Sequence, residues 1–283
     1  MKKILITGVN GSTGQILFKT LSKSYDVYGL VRKEPSNKKH FIFKNIIKKK
    51  INFHTIIHLA GTNPGQYSNI SERKMLNDNN LINKRVLLLS KLKKIKKIIF
   101  FSSFSVYQED KYINENTPLS KKRAYSRSKI NFEKKLKMIN NISSYILRSC
   151  AIIHSNSQNN WLSVLRTKMK ENQNIILYNK NYYYNNCIGI QDLTKIIKKI
   201  IERSKMEKKI YNLSSNEPIQ IKSIAAIIKK NRVYTGKLTF KNNAKSSYFF
   251  NDSSYIQKEL NIKFSSVKKN IEKIFYKKST KFS

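Results

Sequence analysis

Short apolar runs recur along the first half of the chain: KILIT at 3–7, DVYGLV at 26–31, HTIIHLA at 54–60, KKIIFFS at 96–102 and SSYILR at 143–148. They are apolar throughout rather than alternating, as strands covered on both faces require. Between them, GQILFKTLSKS at 14–24, NLINKRVLLLSKL at 80–92 and YSRSKINFEKKLKM at 125–138 carry apolar residues at helical spacing. This alternation predicts an α/β fold with a parallel sheet. The stretch from Val31 to His54 holds only FIFKNI as a strand, so one crossover helix is expected to be reduced or missing. After Arg148 the rhythm breaks down. SNSQNNW and YNKNYYYNN read as polar and aromatic loops, with helices expected near 160–171, 191–203 and 221–230 and the apolar start of YNLSS between the last two. No internal repeat is visible. The expected division is a first domain over 1–150 with a returning segment near 182–205, and a smaller region from 151–181 and 206–283.

Composition narrows the function classes. A chain of 283 residues can bury a substantial core. Cys150 and Cys187 offer no disulfide framework and no metal-ligand spacing, so no metal is expected. The opening MKKILIT is interrupted by Gly8, Asn10 and Gly11 before it resembles a secretion signal, and no apolar run is long enough for a bilayer. A soluble cytoplasmic protein is expected, with no membrane partner. The charge is +41, from 57 Lys+Arg against 16 Asp+Glu. Such a balance raises nucleic acid as a partner. The lysines are nevertheless spread along the whole chain and accompanied by asparagine and isoleucine, residues of A/T-rich codons. Base composition therefore accounts for them without a partner.

The motif that changes the picture is Thr7-Gly8-Val9-Asn10-Gly11-Ser12-Thr13-Gly14, three glycines at spacing three after the first strand and opening the first helix. Backbone without Cβ lets a pyrophosphate approach, and the helix N-terminus carries its charge. Gly8, Asn10, Gly11, Ser12, Thr13 and Gly14 are the candidate phosphate cradle of a Rossmann-type doubly wound sheet. At the end of the second strand Val31 stands where NAD-binding chains usually place an acid, and Arg32 and Lys33 follow it. That favours NADP, with NAD as the alternative.

Together these residues resemble the extended short-chain dehydrogenase/reductase family, the NAD-dependent epimerases, dehydratases and ketoreductases of nucleotide sugars. The resemblance rests on TGVNGSTG, IIHLAG, FFSSFSVY, NENTPLSKKRAYSRSK, SYILRS, CIGIQDL and YNLSSNEPIQIKSIA, in order over most of the chain. It implies that Tyr125 is the proton donor or acceptor, Lys129 its electrostatic partner and a ribose ligand, and Ser103 the hydroxyl holding the substrate oxygen, with Ser102 as the near alternative. It places Leu59, Ala60, Gly61 and Ser102 beside the cofactor, and Asn80 as the helix asparagine, with Asn77 and Asn79 competing for that register. A tyrosine titrates near pH ~10, so the neighbouring lysine is expected to lower that value.

Three departures narrow the reaction. Phe104 and Ser105 follow Ser103 where sugar dehydratases of the family carry an Asp-Glu pair, which argues against dehydration. Asn45 replaces an aspartate that commonly contacts adenine. Ser149 and Cys150 stand in place of the usual proline. The resemblance implies an NAD(P)-dependent oxidoreductase that reduces a keto group of a nucleotide-diphosphate sugar for polysaccharide synthesis. The alternatives are an epimerase with tightly bound NAD and, from another class, a non-catalytic NADP sensor or nucleic-acid-binding relative. Arg166 and Arg232 are candidate diphosphate contacts, and Trp161 with Tyr182 to Tyr184 a candidate stacking surface. His54, His58 and His154 are not expected to be catalytic, and His58 is expected to pack near the cofactor. Homodimerisation through the helices around Tyr125 is a further implication.

Overall fold

A computed structural model of the chain describes residues 1–33, 35, 37–63, 70–158, 160–231, 233–243 and 249–276. Two compact units emerge. The first comprises Met1–Tyr107, Pro118–Arg148 and Thr194–Tyr211; the second comprises Gln108–Thr117, Ser149–Leu193 and Asn212–Ser283. The segment returning to the first unit thus starts at Thr194 rather than near 182, and residues 108–117 join the second.

The first unit is built on a seven-stranded sheet. Its strands are β1 (Lys3–Thr7), β2 (Asp26–Val31), β3 (His40–Ile42), β4 (Thr55–His58), β5 (Lys97–Ser103), β7 (Ser143–Ser149) and β12 (Ile210–Leu213), in the order β12-β7-β5-β4-β1-β2-β3. The pairings β3–β2, β2–β1, β1–β4 and β4–β5 are parallel. The order reverses between β1 and β4, and the crevice at such a switch point, beyond the strands' carboxyl ends, is where open α/β sheets take ligands. Helices α1 (Ser12–Leu21), α2 (Phe43–Lys48), α3 (Glu72–Leu92), α4 (Ala124–Lys137) and α6 (Ile190–Glu202) accompany the strands. Among the described residues the crossover from β2 to β3 has no helix, and the short α2 follows β3 instead, as the sparse stretch after Val31 suggested.

The core of this unit joins Leu5, Ile56, Ile98, Phe100 and Ile146 of the strands to Val86 and Leu89 of α3 and Phe132 and Leu136 of α4. Lys97 opens β5 and is buried all the same. Its ammonium donates to the carbonyls of Ile200 at 3.0 Å and Ile201 at 3.1 Å, satisfying orphan acceptors at the end of α6. A lysine inside this protein is therefore not out of place where a helix ends against it.

The second unit carries the short strands β6 (Tyr112–Ile113), β8 (Ala151–Ile153), β9 (Ile175–Tyr178), β10 (Tyr183–Tyr184), β11 (Cys187–Gly189), β13 (Ile219–Gln220), β14 (Leu238–Lys241) and β15 (Phe250–Asn251). They pair two by two: β6 with β15, β8 with β11, β9 with β14 and β10 with β13. Helices α5 (Trp161–Lys170), α7 (Ile221–Lys229), α8 (Ser254–Leu260) and α9 (Val267–Tyr276) complete it. Leu162, Leu165 and Met169 of α5 pack with Ile224 and Ile228 of α7 and Val267, Ile271 and Ile274 of α9. Helices α5 and α7 were expected from the sequence and α8 and α9 were not; β10 lies in a tract expected as loop, and no strand was expected at β9.

Candidate active site

The parallel β1–β4 pair sets Thr7 beside His58, so the turns that follow both strands meet. Gly8 has φ +74°, in the left-handed region, and a Cβ there would stand 2.9 Å from the Ala60 nitrogen. A Cβ on Gly14 would fall 2.8 Å from Val9 Cα, so α1 packs against the turn only because position 14 is glycine. Gly11 differs. It is exposed, and a Cβ there would meet only the Gly8 oxygen, at 3.3 Å. Gly11 is also the N-cap of α1, with no side-chain cap and no acid in the first turn. The first-turn N–H groups and the positive end of the helix dipole are left for an anion. Asn10 is exposed and Ser12 and Thr13 half-buried around this opening. The residues present fit a dinucleotide pyrophosphate: a tight turn, an uncapped helix start and no acid in its first turn.

Beneath the turn lies a closed polar chain. Thr7 Oγ1 bonds His58 Nδ1 at 2.7 Å, His58 Nε2 bonds Asn83 Oδ1 at 2.9 Å, and the Ala60 N–H donates to Thr7 Oγ1 at 3.1 Å. Burial pushes the His58 imidazole down to about 3, only partly opposed by its bond to Asn83, so the ring is neutral. It holds the loop Leu59-Ala60-Gly61 in place from below.

Ser103 ends β5, and Tyr125 and Lys129 lie one turn apart on α4. The Lys129 ammonium is buried; it donates to the Phe101 carbonyl at 2.8 Å and lies 4.8 Å from the Phe100 ring centroid. A Cβ on Gly61 would sit 3.5 Å from Lys129 Nζ and 3.4 Å from Asn79 Oδ1. The loop after β4, helix α3 and the Tyr-Lys helix therefore converge at one place, from sequence positions far apart. The Ser103 hydroxyl lies close enough to the Tyr125 phenol to favour its ionised form.

The electrostatics differ from the expectation. Burial pushes the Tyr125 phenol up to about 12, outweighing the lowering effect of the Ser103 hydroxyl, rather than the lysine bringing it down. Burial brings the Lys129 ammonium down to about 8, with the Glu133 carboxylate pulling the other way. In this state Tyr125 holds its proton.

Several expected residues are placed otherwise. Ser102 points away from Ser103, as alternation along a strand demands; its hydroxyl donates to Glu133 Oε1 at 2.5 Å. Asn80 is turned outward relative to its neighbour. Asn79 is the buried one, its amide donating to Thr62 O at 3.0 Å and Ser128 Oγ at 3.2 Å while Oδ1 accepts from the Thr62 N–H at 2.7 Å. The asparagine tract Asn77, Asn79, Asn80 hid this one-residue register. Arg32, Lys33 and Asn45 are exposed. Arg166 is occupied by the carbonyls of His154, Ser155 and Ser157, which takes its guanidinium out of diphosphate binding. Arg232 lies outside the described residues. Trp161 packs on Tyr184 with centroids 5.0 Å apart. His154 is buried and pushed down to about 4 by desolvation and by Arg166. At the departure from proline, the Cys150 N–H donates to the Leu213 carbonyl at 3.3 Å, a bond proline has no hydrogen to make. Among the described residues no cluster suited to a metal ion is present, and no helix is long and apolar enough to cross a membrane.

One buried group was missed by the sequence reading. Glu133 continues the four-residue spacing of Tyr125 and Lys129, and it accepts from Arg148 Nε at 3.1 Å and NH2 at 2.6 Å, both side chains 2% exposed. The spacing was the available signal; the partner on β7 was not.

The family model for the NAD dependent epimerase/dehydratase family matches residues 4–214. The chain belongs to that family. No curated protein matches it. Among solved structures, the chain is similar to UDP-glucose 4-epimerase of Thermotoga maritima, at 14% identity and a TM-score of 0.80, covering 96% of this chain and 97% of that one. UDP-N-acetylglucosamine 4-epimerase of Bacillus cereus matches at 18% identity and 0.80, covering 97% and 96%. UDP-glucuronic acid 4-epimerase of Bacillus cereus, in complex with UDP-glucuronic acid and NAD, matches at 19% identity and 0.78, covering 96% and 98%. At these identities the family member shares the Rossmann-type fold of its neighbours.

Proposed function

We propose that this family member moves a hydride between a nicotinamide dinucleotide and a carbon of a nucleotide-diphosphate sugar, and that its net reaction is reduction of a keto group with NADPH. The observation that carries the reading is the meeting of Ser103, Tyr125 and Lys129 beside a glycine cradle with an open helix N-terminus. When bound, the nicotinamide supplies or takes the hydride. The chain's own residues do the rest. The Ser103 hydroxyl holds the substrate oxygen where charge develops. Tyr125, kept protonated by desolvation, donates the proton at Oη that turns this oxygen into a hydroxyl. Lys129 presents a buried cation that favours the resulting tyrosinate. Arg32, exposed after β2 with Val31 in the acidic position, supports NADP. The site is proposed to include Gly8, Asn10, Gly11, Ser12, Thr13, Gly14, Leu59, Ala60 and Gly61 for the dinucleotide.

The second reading, epimerisation with retained NAD, is favoured by the 4-epimerases among the structural neighbours. The two separate in one experiment: identify any dinucleotide that co-purifies, then titrate the protein with NADPH and NADH by nicotinamide fluorescence. Preference for NADPH with no retained cofactor is expected. Tightly retained NAD would replace the reductase with the epimerase, and binding of neither dinucleotide, with salt-sensitive retention of RNA, would overturn both.

A further inference from the structure

The strongest unassigned feature is the buried charge cluster one turn beyond Lys129. Glu133 takes two bonds from Arg148 on β7 and one from Ser102 on β5. The Arg148 guanidinium lies 4.8 Å from the Tyr107 ring centroid, so its free face is covered as well. A buried ion pair is poor evidence of stabilisation, because well-packed apolar side chains in its place are often as good or better. Its position needs another reason. The three groups tie together the strand end preceding Ser103, the helix of Tyr125 and Lys129, and the neighbouring strand. Around Lys129 the titratable and charged groups are Tyr125 and Glu133 on its own helix, neutral His58 from β4 and, through Glu133, Arg148 from β7. From β5 come the Phe101 carbonyl and the Phe100 ring, and from α3 the uncharged Asn79 amide. Glu133, one helical turn on from Lys129, is thus the anion that opposes the lowering burial imposes on the ammonium.

We infer that Glu133, held by Arg148 and Ser102, is a positioning residue that keeps Lys129 in its ammonium form and fixes the Ser103 strand end against the Tyr125 helix. Arg148 limits this effect by sharing the carboxylate, so the pair sets the charge of Lys129 in a graded way rather than merely filling the core. The inference rests on the proposed acid/base reading for its functional meaning, but the coupling itself is measurable without substrate.

The test is an NMR titration of full-length protein carrying ε-13C-labelled lysine, with the Lys129 signal identified by its loss in Lys129→Met. Removing the carboxylate is expected to lower the Lys129 midpoint in Glu133→Gln by roughly one pH unit, the low end for an opposite charge because Arg148 already shares it. Arg148→Met, which frees the carboxylate for Lys129, is expected to raise the midpoint. The double variant Glu133→Gln/Arg148→Met removes both partners of the ion pair together, so neither is left buried without the other, and is expected to fall between wild type and Glu133→Gln. It reads the effect even where a single variant fails to fold. An unchanged midpoint in the double variant, or the same direction of change in both singles, overturns the proposal in favour of a purely structural clamp. Dinucleotide titration of the wild type runs alongside. If it fails while the midpoints move as expected, the proposed function falls and the coupling stands.

Discussion

In the proposed site, the turn after β1 and the helix α4 contribute by opposite means. At the turn the chemistry is made by what is missing: no Cβ at Gly8 and Gly14, no side-chain cap on α1, no acid in its first turn. On α4 it is made by side chains held against their preference, a buried ammonium and a half-buried phenol whose ordinary ionisation is shifted by desolvation. Backbone chemistry of the first kind tolerates no substitution but needs few neighbours. Side-chain chemistry of the second kind depends on groups from β4, β5, β7 and α3.

The largest effect expected from breaking this contrast is at the turn. In Gly14→Val the new side chain would run into the Gly8 and Val9 backbone, so dinucleotide binding measured by nicotinamide fluorescence should be lost altogether. Tyr125→Phe should separate the two regions cleanly. It removes the proton donor but leaves the cradle, so the dissociation constant for dinucleotide should stay near wild type while turnover falls by roughly 10²–10⁴-fold, as for loss of a general acid.

Next is a pH effect on the support shared by both. The His58 imidazole is held near 3 in the folded chain against an ordinary value of 6.5, so the unfolded state binds more protons between those values. Stability is therefore complete above about pH 6.5 and lost as the pH falls towards 3, by about 3 kcal/mol at pH 4 for this one group. Urea unfolding of wild type and His58→Gln from pH 7 to pH 4 checks it: the acid loss should be smaller in the variant. The smallest effect is expected at the exposed end of β2, where Arg32→Ser should cut the preference for NADPH over NADH by about tenfold, the scale of one charged hydrogen bond. An unchanged ratio would remove Arg32 from the site.

The two regions also differ in how far they could be read in advance. The glycine turn was legible because its requirement is local: spacing, a preceding strand and a following helix are all contiguous in the chain. Tyr125 and Lys129 were legible for the same reason, four residues apart on one helix. Ser103 was preferred over Ser102 from the sequence, but only β5 showed that the Ser102 hydroxyl turns to Glu133. Asn79 and Asn80 depended on a helix rotation that a tract of asparagines does not reveal. Arg166, promising as an isolated cation, turned out to satisfy three carbonyls of its own loop.

Sequence alone determined the parallel α/β order of the first unit, the anion-ready turn at its start and the Tyr-Lys spacing, because each is set by contacts between near neighbours in the chain. The tertiary structure decided which charge states those residues adopt. Desolvation of Tyr125 raises its proton affinity instead of lowering it, and Glu133 finds Arg148 and Ser102 only because β5, β7 and α4 come together. Desolvation and long-range pairing depend on the assembled surroundings of a group, and these are absent from any short window of sequence.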